Sequence, residues 1–155
     1  MSSLFRIAVI AFSLTLAACV TAKAEPDLAS ALVAEVNAVR ASQGLPGLAV
    51  DHELNAAALA HAADQARAAR MTHRGSDGAE LGERLIRAGY DYARAKEAVA
   101  VGWQGGPRDV ARGWWYSPGH RATLLHWPAS EVGVGVVRGE DGRPYWTLIV
   151  AEPYS

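Results

Sequence analysis

Apolar residues recur at spacings of four and three through Leu28, Leu32, Val36 and Val39, which lays one apolar stripe along a helix. Pro26-Asp27 supplies a start for that helix, and Gly44 stops it. The Gly44-Leu45-Pro46-Gly47 stretch then reads as a turn. A second helix is predicted from Asp51, a good N-cap, to about Arg70, with Leu54, Ala58, His61, Ala62 and Gln65 facing inward. A third is predicted to start near Asp77, where Asp77 and Glu80 stand at capping-box spacing, and to end at Gly89. Glu80 and Glu83 are then a cap and a solvated face. Lys96 to Val101 reads as a short buried strand carrying Glu97. After a break at Gln104-Gly105-Gly106-Pro107, a fourth helix runs to about Tyr116, and Pro118 opens a short one through Leu125. Val132, Val134 and Val136 alternate with Gly133 and Gly135, a period-two strand with one face reduced to backbone. Asp141-Gly142 turns the chain into a return strand, Tyr145 to Ala151.

Helices first and a hairpin last argue for an α+β fold, a small antiparallel sheet covered by helices. The chain has 155 residues, half of them apolar, with neither an internal repeat nor a low-complexity linker. That is one folded domain with a single core. The net charge is −1 and the arginines are scattered without interleaved aromatics, which excludes a nucleic-acid partner.

Residues 1–24 read as an export leader, leaving residues 25–155 as the domain. Arg6 is the positive start, Ile7 to Val20 the apolar stretch and Ala22-Lys23-Ala24 a small-residue cleavage site. The apolar stretch falls short of the ~18–20 residues that span a bilayer. The only cysteine, Cys19, closes Leu16-Ala17-Ala18-Cys19, which resembles the lipobox whose cysteine is acylated in bacterial lipoproteins. On that reading the protein meets a membrane only through a lipid anchor at Cys19. Cleavage after Ala24 leaves it free in the periplasm or outside the cell. A lone cysteine excludes an intrachain disulfide.

Three residues stand out chemically. His73 precedes Gly75-Ser76-Asp77-Gly78, and His120 ends Ser117-Pro118-Gly119-His120. Glycines beside each let backbone approach a ligand closely. Glu97 interrupts an apolar run, and a buried carboxylate without a partner is costly, so it is expected to meet His73 or His120. Two imidazoles and a carboxylate suit an acid/base site or a divalent cation such as Zn²⁺. His61 is expected to be a hydrogen-bonded core histidine, His52 exposed, and His126 a loop residue. Trp114, Trp115 and Trp127 read as core and cleft wall. Ser117 is most simply a helix N-cap, outside the Gly-x-Ser-x-Gly setting of a nucleophile elbow.

From Leu32 to Pro153 these segments resemble the bacterial branch of the CAP superfamily of cysteine-rich secretory, antigen 5 and pathogenesis-related proteins, also called SCP-like. The resemblance rests on Val36-Asn37-Ala38-Val39-Arg40 with Gly44-Leu45-Pro46, on Leu54 through His61-Ala62, on His73 with its glycines, on Glu97-Ala98-Val99-Ala100, on Ser117-Pro118-Gly119-His120-Arg121, and on Val132 to Val136. It implies a three-layer α-β-α sandwich with a cleft formed by His73, Glu97 and His120. Two departures stand against it: Ala98 replaces the family's asparagine, and no glutamate lies between Trp103 and Tyr116 to supply a second acidic site residue. The resemblance further implies an exported binding module for a small apolar ligand, a lipid, an envelope component or a divalent cation. The alternative it carries is a hydrolase, with His73 or His120 as base, Glu97 orienting it, and Ser117 or a metal-bound water as nucleophile.

Overall fold

The computed structural model describes residues 22–103 and 105–154; most of the leader, with Cys19, lies outside them. The elements in chain order are β1 (Lys23–Ala24), α1 (Pro26–Ser42), β2 (Ala49–Val50), α2 (His52–Arg67), α3 (Leu81–Arg87), β3 (Tyr92–Val101), α4 (Pro107–Tyr116), α5 (Pro118–Leu124), β4 (Glu131–Arg138) and β5 (Pro144–Pro153). The sheet runs β1-β4-β5-β3, with β2 pairing in parallel to the same edge of β4 that β1 covers, and the other pairings antiparallel. Strand pairing with β5 sets Glu97 opposite Ile149.

Alternation along the strands sorts the helices into two layers. Ala98, Ala100, Val132, Val134, Val136, Trp146, Leu148 and Val150 pack with α1, α4 and α5 through Leu32, Val36, Val110, Trp114 and Leu124. The opposite face meets α2 and α3, where Leu54, Ala58 and Leu85 pack on Ile149 and Ala151. This is the α-β-α sandwich expected from the sequence.

The glycines of β4 explain how close α2 lies. A Cβ on Gly133 would sit 2.1 Å from the Leu54 carbonyl carbon, and one on Gly135 would sit 2.4 Å from that of Ala58. The helix therefore rests on bare strand backbone. Where the edge of β4 is free between β2 and β1, the Val134 N–H donates to Asn55 Oδ1 at 2.8 Å.

Arg40 near the end of α1 is fully buried with no acidic partner among its hydrogen bonds. Its guanidinium donates instead to four carbonyls: Pro46 at 2.9 Å, Leu124 at 2.9 Å, His126 at 3.1 Å and Ala129 at 3.3 Å. Burial lowers its pKa, yet a guanidinium stays charged in a protein. It fastens α1 to the C-terminal end of α5.

Several expectations need correction. Asp77 does not open α3. Its Oδ1 accepts from the Ala79 N–H at 2.9 Å, and Gly78 sits at φ +87°, so the segment is a turn. The helix starts after Glu80, whose N–H donates to the Glu83 carboxylate at 2.8 Å. β3 begins at Tyr92, earlier than its apolar core implies, because its first half is an exposed edge. Trp114 is buried as expected, but Trp127 is 64% exposed and is not part of the core. Lys23 and Ala24, read from sequence as the end of the leader, pair with Arg138 and Val137 of β4.

Candidate functional site

Because Ala98 and Ala100 point toward α4, Glu97 points the other way, toward α2 and α3. Its side chain is 3% exposed, so it needs partners. Arg84 of α3 donates from Nη2 to Oε2. His73, on the loop after α2, has Nδ1 2.9 Å from Oε1. His61 of α2 lies beneath, with Nε2 3.9 Å from the same oxygen. A carboxylate only accepts, so His73 carries its proton on Nδ1 and turns Nε2 outward.

The loop that presents His73 is held from α2. His61 Nε2 donates to the Thr72 carbonyl at 2.8 Å, and Gln65 Oε1 accepts from the Thr72 N–H at 3.1 Å. Asp64 accepts from the Ser76 N–H at 2.7 Å and from its hydroxyl at 2.6 Å. Arg84 adds a bond from Nη1 to the His73 carbonyl at 2.7 Å. The inward-facing polar residues of α2 thus serve this loop, and His61 is the hydrogen-bonded core histidine the sequence suggested.

Among the described residues, no hydrogen bond joins His120 to Glu97 or His73. His120 lies on α5, in the other helical layer, with its ring centroid 6.2 Å from that of Trp114. Among the described residues, the hydrogen bond from α5 to Glu97 runs from the Thr123 hydroxyl to the Glu97 backbone carbonyl at 3.5 Å. Two imidazoles therefore flank edge strand β3 from opposite layers, and Glu97 is bonded to one of them. Ser117 joins α4 to α5, but its hydroxyl makes no capping bond.

This arrangement limits what the cluster can hold. Both Glu97 oxygens are engaged, and the cluster does not bring three ligand atoms together. Among the described residues, Asp51, His52 and Glu53 are the group whose donor atoms lie within 4.8 Å of one another. They sit at the exposed start of α2, where Asp51 Oδ1 caps the Leu54 N–H and the helix dipole disfavours a cation.

The two flanking histidines are tuned in opposite directions. The hydrogen bond that His73 donates to Glu97 raises the His73 pKa, while burial and then the charge of His73 lower that of His120. Burial also lowers that of His61. The consequences for stability oppose each other. His73 contributes stability that is fully present below ~6.5 and lost as pH rises through its raised folded value. His61, held neutral, favours folding above ~6.5 and loses that contribution as pH falls through its lowered value. The gap in urea midpoint between the native chain and His73→Ala is accordingly expected to be wider at pH 6 than at pH 8. Equal gaps would mean that Glu97 does not stabilise the imidazolium.

Sequence reasoning missed Arg84. It sits four residues after Glu80 on a helix whose polar positions look solvated, and only the fold turns it toward β3. The one available signal was that Glu97 needed a cation.

Comparison with known proteins places these features. Residues 33–150 match the CAP, cysteine-rich secretory protein family. Two Bacillus subtilis proteins are each 32% identical to the chain. The match to the uncharacterized membrane protein YlbC covers 66% of this chain and 29% of that protein, and the match to the uncharacterized protein YkwD covers 72% and 42%. The chain thus spans less than half of either relative. An extracellular SCP-domain protein of Bacillus anthracis superimposes with a TM-score of 0.74 at 26% identity, over 83% of this chain and 41% of that one. An outer surface protein of Borrelia burgdorferi shares the fold at a TM-score of 0.73 and 20% identity, over 81% of this chain and 92% of that one.

Proposed function

Given that the chain belongs to the CAP, cysteine-rich secretory protein family, we propose that it is the binding module of an exported envelope protein, receiving a small ligand at the edge of β3. His73 makes the contact through Nε2, with His120 beside it. The observation that carries this reading is the 2.9 Å bond from His73 Nδ1 to a Glu97 that Arg84 already holds. A fixed ring costs less to order on binding than a free one.

A divalent cation is one occupant the donors suit in part. Among the described residues His73 Nε2 has no hydrogen-bond partner, and its other nitrogen is held by a carboxylate, as in many metal-binding histidines. Glu97 then orients the ring rather than ligating, because both its oxygens are engaged. The cation would polarise whatever ligand it met. A hydrolase is the weaker reading, because among the described residues no hydrogen bond joins the Ser117 hydroxyl to either histidine.

Histidine NMR titration tests the site. In the native chain His73 is expected to titrate above ~6.5, and in Glu97→Gln its value should fall. Added Zn²⁺ should perturb His73 and His120 together. Resonances that ignore both the substitution and the metal would overturn the reading.

Export is supported by the leader-like sequence and by the extracellular Bacillus anthracis protein that superimposes on this chain. Among the described residues, no helix is long and apolar enough to cross a membrane. Acylation at Cys19 fits the pairing of Lys23 and Ala24 with β4, since cleavage before Cys19 keeps that strand and cleavage after Ala24 removes it. Mass spectrometry of the mature N-terminus is expected to find a lipid-modified Cys19. A free chain starting at Glu25 would instead support simple secretion.

A further inference from the structure

β3 closes one side of the sheet, and its outer edge carries main-chain groups that nothing pairs. Alternation fixes which groups face outward. The Gly102 N–H donates to the Pro144 carbonyl, and the register with β5 is unbroken from Arg94 to Val101. Even-numbered residues of that run therefore bond to β5, and odd-numbered ones face away. Two bonds from the layer of α4 and α5 agree: Trp114 Nε1 donates to the Val99 carbonyl at 3.3 Å, and the Thr123 hydroxyl to the Glu97 carbonyl at 3.5 Å. Among the described residues, no hydrogen bond reaches the Ala95 N–H, the Ala95 carbonyl or the Glu97 N–H.

This stretch is open to solvent. Ala93, Arg94 and Lys96 are exposed and Ala95 is half-buried. The Glu97 side chain is 3% exposed while the residue as a whole is half-buried, so what Glu97 shows to water is main chain. Only another extended backbone repeats donors and acceptors at this spacing. Charge then chooses the strand. Arg94 is 65% exposed with Glu152 3.5 Å away, and Lys96 has no ion-pair partner among the described residues. Both reach His126, whose pKa is lowered by burial first and then by the charges of Lys96 and Arg94. Symmetric pairing of two copies about Ala95 would set Arg94 of each opposite Lys96 of the other, and like charges directly opposite are destabilising. A strand with acidic side chains meets the opposite situation.

We propose that the free edge of β3, from Ala93 to Glu97, binds a short acidic peptide as an added antiparallel strand. Centred on Ala95, such a strand makes three main-chain bonds. The Ala95 N–H and carbonyl exchange bonds with one peptide residue, and the Glu97 N–H donates to the carbonyl two residues before it. The peptide residues on either side of the central one fall opposite Arg94 and Lys96, so those are the positions for Asp or Glu. The inference rests on the reading of the β3 edge as the binding face, and it names the class of ligand.

The probe is the peptide Thr-Glu-Val-Glu-Thr, blocked at both ends and titrated at low salt into the isotope-labelled protein. It is expected to move the amide resonances of Ala95 and Glu97 downfield, saturably, as their N–H groups gain acceptors. Replacing both peptide glutamates by lysine should weaken binding about tenfold. Methylating the valine nitrogen keeps every charge but removes one main-chain bond, and should also cost about tenfold. Lys96→Glu, at an exposed position that holds neither histidine, should weaken the acidic peptide about tenfold. Silence at Ala95 and Glu97 would overturn the proposal, as would equal binding of the acidic and lysine peptides. Equal binding of the methylated peptide would overturn it too, since the contact would then be charge alone. Shifts of the same two amides with protein concentration, without peptide, would give the edge to a second copy instead. The His73 and His120 rings are read separately against Zn²⁺. If they respond while both amides ignore the peptide, the histidine site stands and the added strand falls; the reverse pattern keeps the strand and overturns the histidine site.

Discussion

Arg40→Met is expected to destabilise the domain by about 3–5 kcal/mol, in the range of other buried charged groups stripped of a partner. Methionine keeps most of the volume and the flexible stem, so the loss reports on the four carbonyls rather than on a cavity. Those of Pro46, Leu124, His126 and Ala129 would lose their donor, the Leu124 and Ala129 carbonyls in buried surroundings and the other two in part-buried ones. Each buried polar group left unpaired costs about 1–3 kcal/mol, and partial relaxation keeps the sum below four times that. Arg40→Lys should fall between, since an ammonium keeps the charge but cannot span the fork. Urea unfolding of the three proteins checks this. A methionine variant within about 1 kcal/mol of the native chain would mean that the carbonyls find water, and that the cage is incidental.

The second large effect is expected at Gly133 and Gly135. Alanine at either position drives a methyl into the backbone of α2 at 2.1 or 2.4 Å. No rotamer relieves a clash with main chain, so the helix must lift. Overpacking of this kind costs about 1–3 kcal/mol where neighbours yield and more where they do not. Each single variant should lie at or above the top of that range, and the double variant should not fold. Gly119→Ala is the control. It lies in α5 with nothing within 4 Å of its added carbon, so it should be neutral or stabilise by up to about 1 kcal/mol. If Gly133→Ala behaves like Gly119→Ala, α2 does not rest on β4 as closely as the structure places it.

The long elements were legible because their patterns are local. Leu28, Leu32 and Val36 announce α1, and valines alternating with glycines announce β4. The glycines even foretold the bare face, though not that α2 covers it. The two-residue strands β1 and β2 carry no pattern of their own and exist because β4 offers an edge. At the site, Glu97 was readable as a charge in need of a partner, and His73 proved to be one. Arg84 was not readable, because its helix looks solvated and the contact depends on how α3 crosses β3. The expectation that His120 would join the same cluster met a constraint no linear pattern expresses. Glu97 points to one face of the sheet and α5 packs on the other, so the two meet only around an edge.

The strand order has a consequence for the birth of the protein. β1 and β2 bond only to β4, and β3 only to β5. Every strand therefore waits for the hairpin of residues 131–153, the last part of the fold to leave the ribosome. Until then the helices have no sheet to cover, and Arg40 lacks three of its four carbonyls, all of which lie beyond residue 123. Such long-range closure is slow compared with local helix formation. The growing chain stays open through nearly all of its synthesis, the state in which a polypeptide can still be threaded across a membrane.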